Sequence, residues 1–235
     1  MKILIKDAFF LDNTVQSIEI DGAVIVHVGE PRSEFLPEKI IDGKDKLAIP
    51  GFVNAHTHVS MTLLRSLADD KNLMDWLQKD IWPIEDKMGE GDIYWGAKLG
   101  ILEMIKGGTT CFADMYGPFE ERVADAVKES GIRASLGRGL IGYSEGADGK
   151  LQEGINLYKN FHGQGQITVM LAPHAVYTSP ADYLKKVAAA AEKIGAHIHT
   201  HMAETKDEVA NCLKDTGKTP TAHLESVGLL ERGAL

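Results

Sequence analysis

From residue 50 onward one pattern repeats: a short apolar run, an amphipathic stretch, then another apolar run. This is how a parallel sheet is written in sequence, because parallel strands need a long crossover and that crossover is usually a helix. Five apolar runs carry the pattern, at 48–55, 109–115, 133–137, 167–172 and 196–201. The first is apolar almost throughout, which predicts burial on both faces. Helices are expected at 92–106, which Gly107-Gly108 can close in a left-handed cap, and at 118–130, ending on Gly131. A third is expected at 180–194, with Ser179 as N-cap, Pro180 in the first helical position and Gly195 beyond its end, and a fourth at 206–214.

The first 49 residues read differently. Short strands at 3–5, 15–20, 24–28 and 39–41 are separated by Asp12-Asn13, Asp21-Gly22 and Gly29-Glu30-Pro31 turns. Two domains are therefore expected: a small β module over 1–49, part of a composite β-sandwich, and an α/β domain over 50–235. Polar groups gather after the strands and no glycine-rich dinucleotide loop follows the first one, so a (β/α)8 TIM-type barrel is favoured over an open doubly wound sheet. A complete barrel takes about 250 residues. The barrel expected here is incomplete, about five β/α units, with Leu235 standing where a sixth strand should begin.

Composition narrows the function. With 44% hydrophobic and 25% charged residues among 235, the chain is of the soluble globular class. A formal charge of -9 argues against a nucleic-acid or anionic-membrane surface, which needs clustered Lys and Arg. Cys111 and Cys212 lie outside any CxxC spacing, so neither a disulfide framework nor a thiolate zinc site is indicated. Charges within Met1 to Asp7 do not suit a signal peptide, and no run is long enough to span a bilayer. A cytoplasmic protein is expected.

The chemistry is written at the strand ends. In Pro50-Gly51-Phe52-Val53-Asn54-Ala55-His56-Thr57-His58, the two histidines stand two apart on a strand and so project to one side, where they can chelate one divalent metal. An isolated HxH is a weak pattern, but the carboxyl end of a barrel strand is where catalytic groups sit. The fifth run supplies His197, His199 and His201 in alternation. His201, nearest the carboxyl end, is level with His56 and His58, while His197 and His199 read as inward layer fillers or hydrogen-bond partners. Glu204 is either a surface carboxylate opening the next helix or the proton shuttle that a metal site requires.

PGFVNAHTH followed by His201-Met202-Ala203-Glu204 resembles the amidohydrolase superfamily. Met61 to Asp70, Trp76-Leu77, Pro83-Ile84-Glu85-Asp86, Phe112-Ala113-Asp114-Met115, Arg138-Gly139-Leu140 and Ala172-Pro173-His174 narrow the likeness to its nucleoside deaminase and chlorohydrolase branch, and within it to the 5-methylthioadenosine/S-adenosylhomocysteine deaminases. The likeness covers essentially the whole chain. It implies one Zn2+, or another divalent transition metal such as Fe2+, per complete subunit, held by His56, His58, His201, a further histidine after strand six and an aspartate after strand eight. The last two have no counterpart in these 235 residues. It also implies hydrolytic removal of the 6-amino group of an adenine nucleoside (5'-methylthioadenosine, S-adenosylhomocysteine or adenosine) as ammonia, with Glu204 delivering a proton to N1. Glu85 would hold ribose hydroxyls, Trp76 would pack on the sugar or thioether, His174 would hydrogen-bond the purine and Arg138 would receive a distal anionic group. Lys150 stands where similar deaminases can carry an arginine; it keeps the charge but loses the two-pronged fit to a carboxylate.

Three rivals stand beside this reading. A binuclear amide-ring hydrolase would carry a bridging lysine at the end of the fourth strand, which here reads Leu171-Ala172-Pro173-His174. A guanine or cytosine deaminase or a triazine chlorohydrolase would share the metal kit and differ in the pocket. A non-catalytic amino-terminal fragment of such an enzyme is the third. The 235 residues alone are expected to show little deaminase activity and to expose apolar barrel edges, an active enzyme being expected only of the complete protein. The partners expected are a small nucleoside and a carboxy-terminal remainder of the same protein, with a homo-oligomer left open and with no nucleic acid or membrane.

Overall fold

The computed structural model describes residues 1–231 and 233–235, and the chain divides into two compact units, Met1–Gly51 and Phe52–Leu235. The first unit is one four-stranded sheet made of β1 (Lys2–Phe9), β2 (Val15–Asp21), β3 (Val24–Gly29) and β4 (Lys39–Asp42), in the order β3-β2-β1-β4. The β1/β2 and β2/β3 pairs are antiparallel, closed by short polar turns, while β4 runs parallel to β1. Glu19, with a fully buried side chain, takes the backbone N–H of Arg32 at 2.7 Å and its guanidinium Nε at 2.8 Å, which pins the segment after β3 onto the sheet. Burial opposes ionisation of Glu19, but the bonds and charge of Arg32 outweigh it and hold the carboxyl below its usual range.

The second unit begins with β5 (Phe52–Thr57), followed by a 3-10 turn (Val59–Leu64) and an irregular helical stretch in which α1 (Leu73–Trp76) and α2 (Trp82–Glu85) flank a π turn (Leu77–Ile81). Next come α3 (Glu90–Lys106), β6 (Thr109–Tyr116), α4 (Glu120–Ser130), β7 (Arg133–Leu140), α5 (Ala147–Phe161), β8 (Ile167–Val169), β9 (Ala172–Pro173), α6 (Ala181–Ile194), α7 (Lys206–Thr216) and α8 (Pro220–Ser226). The sheet is parallel throughout, in the order β5-β6-β7-β8, with β9 also on β7. The alternation of apolar run and amphipathic stretch thus folds into the parallel α/β architecture it predicts. Its core joins Phe112, Leu136, Ile167 and Val169 of the strands to Ile93, Ala97 and Ile101 of α3 and Val123 and Val127 of α4. No helix among the described residues is long and apolar enough to cross a membrane.

Several local expectations need correction. The first strand of the parallel sheet starts at Phe52, because Ala48 donates to Phe9 within the first unit and Pro50-Gly51 interrupts the apolar run. Nor is it buried on both faces: Phe52 and Val53 are 56% and 68% exposed, since among the described residues β5 pairs with β6 alone. Ser179 does not cap α6; Pro180 holds the N-cap position, and Ser179 Oγ instead accepts the N–H of Gly142 at 3.0 Å. After α3 the left-handed residue is Gly108, φ 86°, while Gly107 is still right-handed.

The fifth run, 196–201, is extended but does not form a regular ladder. Leu171 N–H donates to His197 O and His199 N–H to Leu171 O, both at 3.0 Å, and His201 N–H donates to His174 O at 2.9 Å. The strand beside it is itself broken between β8 and β9, so only isolated bridges form, including Leu171 with Ile198 and Ile198 with Ala234. His199 is buried as expected, whereas His197 is exposed and is no layer filler.

Candidate metal centre and substrate cleft

Thr57, at the end of β5, pairs with Asp114 near the end of β6, so His56 near the end of β5 and His58 just beyond it stand at the carboxyl edge of the sheet. His201 reaches the same edge from the fifth run, 145 residues along from His56. The three rings lie with centroids 5.0 to 5.3 Å apart. One nitrogen from each falls within 4.8 Å of the others, and the Nε2 atoms of His56 and His201 are 3.3 Å apart.

The tautomers follow from what the other nitrogens touch. His58 Nδ1 lies 2.6 Å from the main-chain oxygen of Met115, and His201 Nδ1 lies 3.1 Å from that of His174. A carbonyl only accepts, so Nδ1 carries the hydrogen in both rings and the lone pair of each neutral ring is left on Nε2. Carbonyl-bound imidazoles of this kind are what histidine ligands present to a metal. Burial, with the neighbouring rings adding to it, lowers the pKa of His201 and keeps that lone pair free of a proton.

Beside the cluster a cleft of about 140 Å³ is lined by His58, Trp76, Glu85, Arg138, His174, His201 and Glu204. The sequence-predicted positions therefore converge on one cavity, with His56 adjoining through the histidine cluster. Glu85 accepts the hydroxyl of Tyr116 at 2.6 Å, and burial raises its pKa. His174 is pushed down to about 3, first by burial and then by His201 and His58. Its Nδ1 lies 3.2 Å from Thr178 Oγ1, whose own hydrogen is directed to Ala175 O, so Nδ1 donates and Nε2 is left as an acceptor. Arg138 is nine-tenths buried, its Nε bound to Glu153 at 2.8 Å and Nη1 to Gly139 O. Trp76 is half-buried on the cleft wall. Lys150 donates to Ser144 Oγ at 2.8 Å.

Residues not anticipated from sequence complete the picture. The hydroxyl of Tyr177 donates to Glu204 Oε2 at 2.9 Å. Glu208, buried, accepts the backbone N–H groups of Ala203 and Glu204 at 3.0 and 2.7 Å, holding Ala203 at φ 56°. Asp114, fully buried, accepts the N–H of Val59 at 2.6 Å and lies 2.7 Å from Thr57 Oγ1. Burial raises its pKa to about 6 against the pull of those bonds. Glu120, also fully buried, is raised well above the ordinary carboxylate value by burial and by Asp114. A tyrosine or a buried acid at a strand end carries no spacing signal comparable to HxH, and Tyr177 meets Glu204 only because two strand-end loops fold together.

Comparison with known proteins agrees with this geometry. The amidohydrolase family model matches residues 47–234. A 5-methylthioadenosine/S-adenosylhomocysteine deaminase of Pelotomaculum thermopropionicum is 50% identical over 220 residues, covering 91% of this chain and 50% of that protein. An adenosine deaminase from Xanthomonas campestris, solved with bound zinc, shares 33% identity with a TM-score of 0.89, over 97% of this chain and 55% of its own. Atrazine chlorohydrolase from Arthrobacter aurescens, at 23% identity and a TM-score of 0.84 over 97% of this chain and 58% of its own, shares the fold. The chain spans about half the length of the curated relatives it matches. With the family model matching most of its residues and the histidines gathered at the strand ends, the chain belongs to the amidohydrolase family.

Proposed function

We propose that this chain contributes the metal-binding and adenine-handling side of a hydrolytic deaminase that releases ammonia from the 6-amino group of an adenine nucleoside, 5'-methylthioadenosine, S-adenosylhomocysteine or adenosine. The observation that carries the proposal is the convergence of His56, His58 and His201 on the edge of a cleft that Glu204, His174 and Glu85 also line. Three imidazoles, two with Nδ1 bonded to carbonyls, are a donor set that fits Zn2+ or Fe2+. A divalent ion held there would lower the pKa of water to near neutrality and supply the nucleophile.

The chain's own residues do the rest. Glu204, oriented by Tyr177, holds the proton to be delivered to ring N1 as the aromatic system is broken. His174, neutral across the physiological range, offers Nε2 as a hydrogen-bond acceptor to the purine. Glu85 accepts ribose hydroxyls, Trp76 covers the sugar, and Arg138, with Lys150 nearby in charge, faces a distal carboxylate. The same reading takes in a closed (β/α)8 barrel, a composite β-sandwich around the first unit, and a cytoplasmic location.

The test is zinc binding by the purified chain, and ammonia release from the three nucleosides, guanine and cytosine by the complete enzyme that contains it. His201→Ala should abolish tight zinc binding. Reaction with the free bases alone would refute the nucleoside reading, and wild-type protein that binds no zinc would refute the metal site.

A further inference from the structure

The segment Thr57-His58-Val59 is gripped on both sides by the end of a single strand, β6. Asp114 is 0% exposed, and its Oδ1 takes the N–H of Val59 at 2.6 Å and lies 2.7 Å from the hydroxyl of Thr57. Thr57 Oγ1 is also 2.7 Å from Ala113 O, and His58 Nδ1 is 2.6 Å from Met115 O. Three consecutive residues of β6 therefore contact three consecutive residues around His58. The side-chain member of that grip is the one that sequence can change, since the other two contacts are to main-chain carbonyls.

Resting on the metal reading above, we propose that Asp114 is the positioning residue of the site: by tying the residues before and after His58 to β6, it fixes the direction of the His58 ring and so sets metal affinity. Burial makes the grip strong. A carboxylate oxygen at this depth is shielded from water, so the buried Val59 N–H has no solvent alternative if Asp114 is lost, while Thr57 Oγ1 keeps only its contact with Ala113 O. Outer contacts that orient ligands typically govern metal affinity by about 10- to 100-fold when removed. Asp114 touches no substrate in this scheme.

The experiment measures zinc dissociation constants of the purified 235-residue chain by competition with a chromogenic chelator, alongside the visible spectrum of its Co2+ form. Asp114→Ala should weaken zinc binding by about 10- to 100-fold and alter the Co2+ bands. Asp114→Asn keeps an oxygen where Val59 and Thr57 need it and should restore both. Val187→Ala, which loosens the buried cluster under α6 rather than the one that β6 joins, should leave affinity and spectrum as in the wild type despite lower stability. Wild-type affinity in Asp114→Ala, or a matching loss in Val187→Ala, would overturn the proposal. A wild-type chain that binds no zinc would overturn the metal reading and this inference with it.

Discussion

Two glycines of the same helix should respond to the same substitution with opposite sign. Gly91 and Gly96 both lie in α3. A methyl group at Gly91 meets nothing within 4 Å, whereas at Gly96 it would lie 2.4 Å from Ser60 O and 3.0 Å from Ser60 Cα, on the 3-10 turn that follows His58. Helix propensity favours alanine by up to about 1 kcal/mol at either position, less near the first turn. At Gly96 the contact is with main chain, which cannot rotate aside, and overpacking of this kind costs about 1–3 kcal/mol. An approach of 2.4 Å to a main-chain oxygen belongs in the upper part of that range, about 2–3 kcal/mol, so after a propensity gain of up to about 1 kcal/mol Gly96→Ala should destabilise by about 1–2 kcal/mol while Gly91→Ala stabilises by a few tenths. With a urea slope of about 2 kcal/mol/M, the first lowers the unfolding midpoint by roughly 0.5–1 M and the second raises it slightly. The assay is equilibrium urea unfolding followed by circular dichroism. A Gly96→Ala midpoint at or above wild type would refute the argument, because it would mean that α3 and the turn separate without cost and that propensity alone governs the site.

Other outcomes follow from single contacts. Tyr177→Phe keeps the ring but removes the hydroxyl that orients Glu204, so in the active deaminase kcat should fall about tenfold, the worth of one such hydrogen bond, with KM little changed; equal kcat would sink the assignment. Glu120 has its folded pKa raised well above 4.5, so its contribution to stability is full below the unfolded pKa and is lost as pH rises through the folded value. Glu120→Gln should therefore flatten the decline in stability above pH 4.5, and an unchanged pH profile in thermal unfolding would contradict this. Glu19 is the opposite case: its folded pKa lies below 4.5, so its contribution is present above the unfolded value and lost as pH falls through the folded one. Arg32→Ala should remove that acid-side dependence, read by the pH dependence of urea unfolding.

The parallel α/β plan was legible because burying a sheet between helices leaves a period in the sequence, and HxH was legible because strand geometry turns a spacing of two into a shared face. Other features leave no such trace. The sequence reading places no helix over α5, since Gly149 and Gly154 weaken its helical signal; the helix forms because Leu151 and Leu157 bury one face of it. The fifth run reads as a strand from its alternating histidines, but its register depends on a neighbour broken at Met170-Leu171. Helix position alone does not say which way Glu85 points; its contact with Tyr116, 31 residues away, and its place in the cleft wall follow only from the fold. Asp114 stands in a run of apolar neighbours and is distinguishable only once Val59 N–H is found against it.

The separation of 145 residues between His56 and His201 would tie any metal held by the cluster to the finished fold. An ion joining them would be a reversible cross-link around a very large loop, whose closure costs a free chain about 4 kcal/mol of entropy. Only a chain that has already folded across that whole interval presents the ligands together, so metal uptake would come last. At a free metal concentration a hundred times the dissociation constant, the loaded state would gain about 2.7 kcal/mol over the empty one. Metal supply would then act as a check on completed folding, marking finished chains as resistant to proteolysis and leaving unfinished ones open to it.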